Sequence, residues 1–100
     1  MARYCFDIDG TICTPGEGCG TCQYEGATPK KDRIEKINKL YDEGNTIVYW
    51  TARGSRKQIN WEELTKKQLD SWGAKYHELK VDKPFYDLFI EDKALRIEEL

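Results

Sequence analysis

No apolar stretch of this chain approaches the roughly 20 residues that a helical membrane span requires, and its first residues read as a strand instead of a secretion signal. No membrane association is expected, and the expected location is the cytoplasm. Charge of one sign is also scarce: the formal net charge is −2, which gives no support to a general nucleic-acid binder. At 100 residues the chain has material for one modest core and none for a second domain, so residues 1–100 are expected to form a single domain. Internal repeats and low-complexity tracts are absent. The single histidine, His77, and the lack of a second Cys-x-x-Cys pair leave Cys19-Gly-Thr-Cys22 short of the four ligands of a structural zinc site.

The four cysteines, at 5, 13, 19 and 22, all fall in the first quarter of the chain, which excludes a disulfide framework spread over the fold. Cys5, inside the expected first strand, reads as a small core residue. Cys13 and His77 could complete a Zn2+ set with Cys19 and Cys22; the alternative is free thiols on a loop.

Along the chain, residues 4–8 read as a buried strand. Residues 10–28, with five glycines and Pro15, read as a long loop or irregular hairpin, a flap beside whatever site the first strand serves. Thr28-Pro29 offers an N-cap and a first helical position, and Ile34, Ile37, Leu40 and Tyr41 share one helical face until Gly44. Residues 46–50 form a second strand rich in β-branched and aromatic side chains. Asn60 and Glu63 resemble a capping box, opening a helix whose apolar face is Trp61, Leu64, Leu69 and Trp72, ended by Gly73. Residues 75–79 are a plausible third strand and 87–90 a fourth, with Asp92 capping a terminal helix to Leu100. Such alternation predicts an α/β fold with right-handed crossovers and a mainly parallel sheet.

The stretch that carries chemistry is Asp7-Ile8-Asp9-Gly10-Thr11. Two carboxylates one residue apart on an extended strand face the same side, and like charges at a strand tip invite a divalent cation or strong hydrogen bonds. Hard oxygen ligands suit Mg2+, and Gly10 permits a turn that brings backbone N–H groups close to an anion. The second strand ends in Thr51, Lys83-Pro84 precedes the fourth, and Glu91-Asp92 closes it. In a parallel sheet these ends lie along one edge, where a hydroxyl, an ammonium and carboxylates would converge on a phosphoryl group.

In that order and spacing the sequence resembles the haloacid dehalogenase (HAD) superfamily of phosphohydrolases. The first motif resembles Asp7-Ile8-Asp9-Gly10-Thr11, the second Thr51-Ala52-Arg53-Gly54, the third Lys83 and the fourth Glu91-Asp92. Small bacterial and phage-type sugar-phosphate or capsule-biosynthesis phosphatases share the Thr-Ala-Arg-Gly and Lys-Pro-x-x-Asp patterns. The resemblance implies a three-layer Rossmann-like fold without a cap domain and a Mg2+-dependent phosphomonoesterase. It makes Asp7 the nucleophile that is phosphorylated and Asp9 the general acid and base. It gives the metal to Asp7, Asp9, Glu91 and Asp92, and the phosphate to Thr51, Lys83, Gly10, Thr11, Ala52 and Arg53. Arg53 and Arg56 read equally as contacts to the leaving group or as solvent-facing residues. The implied substrate is a sugar phosphate or similar small metabolite, with a second copy of the chain able to cover the open site. Two alternatives stand beside it: a phosphatase of nucleotides or nucleic-acid ends, against which the acidic balance argues, and a non-catalytic metal-binding module docking through the cysteine loop.

Overall fold

Strand β1 (Arg3–Phe6) pairs in parallel with β4 (Thr46–Trp50), and β4 with β5 (Glu78–Lys80), giving a sheet of order β1-β4-β5. The computed structural model describes residues 1–16, 22–53, 61–84 and 86–100, apart from the side chains of Cys22 and Gln23. Between β1 and β4 lie β2 (Cys13–Thr14), a short helix α1 (Cys22–Glu25), β3 (Thr28–Pro29) and helix α2 (Lys31–Asp42). Helix α3 (Trp61–Ser71) links β4 to β5, and a 3-10 turn at Ile97–Glu99 closes the chain.

Register explains which side of the sheet is buried. Residues paired across parallel strands share a face, so Tyr4 lies beside Ile47, Phe6 beside Tyr49, and Tyr49 in turn beside Leu79. These pack in one cluster with Ile34 and Ile37 of α2 and Leu69 of α3. Both helices therefore cover the same face. Asn38 of α2 joins them, donating to the Gly73 carbonyl and accepting from the Lys75 N–H, both at 2.8 Å. The connections step in one direction across the sheet, and right-handed crossovers that do so place their helices on one side. The described residues thus build two of the three expected layers. The opposite face carries Arg3, Cys5, Val48, Glu78 and Lys80, with an Arg3–Glu78 ion pair at 3.1 Å. Cys5 lies on that face and is exposed, so it is not the core residue expected.

The second strand and the stops of both long helices fall where the sequence puts them, Gly44 and Gly73 at φ of +99° and +73°. Other elements differ. Thr28-Pro29 does not open α2: it pairs antiparallel with Cys13-Thr14, so the described ends of the 10–28 segment meet as a short antiparallel pair, and α2 begins after Lys30. Residues 87–90 are not a strand. They sit in coil with Leu88 and Ile90 at 75% and 86% exposure, because strand propensity has no effect without a neighbouring ladder and a surface to cover. The terminal helix shrinks to its last turn, where Arg33 pairs with Glu98 and Lys36 donates to the Leu100 carbonyl. The proposed Asn60 cap lies outside the described residues.

Candidate active site

Beyond Phe6 the chain leaves β1 and makes a tight turn. Thr11 and Ile12 donate their N–H groups to the Ile8 carbonyl (3.0 and 2.9 Å), and Gly10 donates to the Cys13 carbonyl (2.9 Å). Gly10 takes φ of +84° there, a conformation natural to glycine. Ile8 is fully buried, which anchors the turn and leaves Asp7 and Asp9 on the side away from the core. The turn also occupies the Gly10 and Thr11 N–H groups expected to cradle an anion, and neither residue lines the cavity described below.

At the end of β4, Thr51 is buried, and its backbone ties two further segments together. Its N–H donates to the Lys80 carbonyl (2.9 Å), and its carbonyl accepts from the Lys83 N–H (3.1 Å). Lys83 is in turn almost wholly buried. Its Nζ lies 3.7 Å from Asp7 Oδ1 and between 5.2 and 5.8 Å from the ring centres of Trp50, Tyr86 and Phe89. Burial pushes the Asp7 carboxyl above the usual carboxylate range, and the Lys83 ammonium pulls against that shift.

Arg53 is 1% exposed and faces inward, neither toward solvent nor toward a leaving group. Its Nε and Nη2 form a fork on Asp9 at 2.9 and 2.7 Å, a bidentate geometry suited to a carboxylate. Its Nη1 donates to Thr65 Oγ1 at 3.2 Å and to Gln68 Oε1, and its guanidinium carbon stands 4.8 Å over the Tyr24 ring. Gln68 also donates to the Tyr24 carbonyl. One side chain thereby connects the turn after β1, α3 and α1. Cys13 adds weak Sγ contacts to Asp9 Oδ1 and the Ile8 carbonyl, both 3.6 Å, and burial with the nearby Asp9 charge pushes its thiol up to about 12.

A cavity of about 320 Å³ opens between these groups. It is lined by Asp7, Asp9, Thr51, Ala52, Arg53 and Lys83 and by Pro15, Tyr24, Pro84 and Tyr86; Thr51, Arg53 and Lys83 are buried, and Pro15, Pro84 and Tyr86 are exposed. Glu91 and Asp92 do not join it: both are exposed, and Glu91 accepts from the Lys93 N–H in a local turn. Without a fourth strand, nothing carries them back to the sheet edge. His77 is also elsewhere, accepting from the Ile47 N–H through Nδ1 and stacking on Tyr41 at the amino end of the strands, remote in the fold from Cys13. Cys19 and Arg56 lie outside the described residues, as does the Cys22 side chain. Among the described residues, no three of His, Cys, Asp and Glu gather to hold a metal.

Four residues of the candidate site carry no expectation from the sequence: Tyr24 and Tyr86, which line the cavity, and Thr65 and Gln68, which accept from Arg53. Thr65 and Gln68 had one visible signal: they share the stripe of α3 that Trp61 and Leu69 bury, and polar residues on an apolar stripe require partners.

No protein-family model matches the chain, and no curated protein matches it. Among solved structures, the crystal structure of a target protein from Vibrio cholerae is similar, with a TM-score of 0.84 and 28% identity over 99% of this chain and 86% of that one. The likeness supports the α/β architecture with its parallel sheet, which is compatible with a Rossmann-like fold.

Proposed function

We propose that this chain is a phosphomonoesterase of the haloacid dehalogenase type. The observation that carries the reading is the meeting of Asp7, Thr51 and Lys83, each just past a different strand of the sheet, around one small cavity. A nucleophile, a hydroxyl donor and a cation at that spacing match the demands of phosphoryl transfer.

In this mechanism the Asp7 carboxylate attacks phosphorus, the bond to the ester oxygen breaks, and the departing oxygen takes a proton. Water then cleaves the acyl phosphate, releasing phosphate and restoring Asp7. Lys83 and the Thr51 hydroxyl hold the non-bridging oxygens. Asp9, placed two residues on, serves as proton donor and then acceptor. Both its oxygens accept from Arg53, so donation to the leaving group requires one arm of that fork to open.

The donor set fits a loosely held magnesium ion, since Mg2+ takes one or two protein carboxylates and fills its shell with water and phosphate oxygens. The half-buried Asp7 carboxylate, 3.7 Å from the Lys83 ammonium, and the Asp9 backbone carbonyl would hold it. When bound, the ion supplies charge neutralisation between the nucleophile and the incoming phosphate.

The test is turnover of an aryl phosphate with magnesium. Asp7→Asn is expected to lower kcat by at least about a thousandfold while the melting temperature is maintained or raised. Turnover surviving in that variant would refute the mechanism.

A further inference from the structure

Resting on the phosphatase reading, we propose that the tyrosine-lined side of the cavity is a leaving-group subsite selecting phosphomonoesters whose alcohol is a single ring, gripped on its flat face by Tyr24 and Tyr86. Pro15, Tyr24, Pro84 and Tyr86 bring flat, largely apolar surfaces from three separate segments to the cavity that Asp7, Thr51 and Lys83 also line. The volume of about 320 Å³ lies at the low end for ligand pockets and suits one ring with its phosphate better than a polymer.

The two tyrosines differ in stiffness. Tyr24 is fixed by an edge-on contact with Trp61 (5.0 Å between centres, 79°), by the Arg53 guanidinium and by the bond from Gln68. Tyr86 is 40% exposed and leans on Phe89 at 5.2 Å, so it is the wall able to adjust to the ring. A sugar ring offers a C–H face and an aryl ring a π face, and both stack on tyrosine. An open-chain alcohol offers no such face.

The experiment compares kcat/KM for a hexose phosphate, phenyl phosphate and glycerol phosphate in the wild type, Tyr86→Ala, Tyr86→Phe and Tyr24→Leu. At least one ring ester is expected to exceed glycerol phosphate, and because phenolate is intrinsically the better leaving group, the ester more sensitive to Tyr86→Ala, not the faster one, identifies the ring as sugar or aromatic. Tyr86→Ala should lower the rate on that ester about tenfold more than the rate on glycerol phosphate, with Tyr86→Phe restoring it. Equal losses on ring and open-chain esters would overturn the subsite while leaving the phosphatase reading intact; a wild type inert toward every ester would refute that reading, and the subsite with it. A second readout needs neither turnover nor metal. Tryptophan fluorescence of metal-free Asp7→Asn, titrated with the preferred ring ester, should show a dissociation constant about tenfold weaker once Tyr86→Ala is added, and an unchanged constant would equally overturn the subsite.

Discussion

Removing the Arg53 guanidinium leaves the Asp9 carboxylate partly buried with no ion partner, and breaking one side of such a pair costs about 3 kcal/mol. Arg53→Ala should therefore lower the unfolding free energy from urea titration by that amount and reduce turnover. Arg53→Lys should recover only part of either, because one ammonium cannot span both Asp9 oxygens and still reach α3. Cys13 gives a prediction at alkaline pH. Its thiol ionises near 9.0 in the unfolded chain and at about 12 in the folded one, so between those values the folded state holds a proton that the unfolded state releases. Its contribution to stability is complete below pH 9 and declines as pH rises toward 12. Denaturation midpoints across that window should fall less steeply in Cys13→Ala. At pH 8, peptide mapping should find exposed Cys5 alkylated before Cys13.

For the elements, the best-read features were those whose signals are local. The run at residues 46–50 needs only its own β-branched and aromatic side chains to read as a strand, and the two helix stops need only a glycine after an apolar stripe. The misread features depend on partners distant in sequence. Pro29 can open a helix in isolation, but pairing of Thr28-Pro29 with Cys13-Thr14 pre-empts it. Residues 87–90 have strand composition but no ladder to join. Leu88→Lys is accordingly expected to change folding stability by less than about 0.5 kcal/mol, as measured in urea. A larger loss would mean that the segment is docked.

Across the whole molecule, Asp7, Thr51 and Lys83 were legible because strand-end residues in a parallel sheet share an edge whatever the loops do. Arg53 was visible as a residue but not in its role, since facing inward depends on polar acceptors supplied by α3 and on the ring of Tyr24. Glu91 and Asp92 were misplaced for the reason that the fourth strand was. Millimolar magnesium should raise the wild-type melting temperature by about 4 °C, corresponding to about 1 kcal/mol, and Asp7→Asn should abolish that shift; the same gain in the variant would place the ion elsewhere.

The position of β5 has a consequence for working temperature. This strand is three residues long at the border of the sheet, yet Lys83 is aimed at Asp7 from just beyond it, held to β4 through the Thr51 carbonyl and, by way of Asp82, through the Trp50 indole N–H. Borders of sheets fray before centres, so warming should detach the ammonium from its carboxylate while the β1–β4 pairing and the helices still hold. Catalytic capacity should then be lost several degrees before cooperative melting, and recovered on cooling.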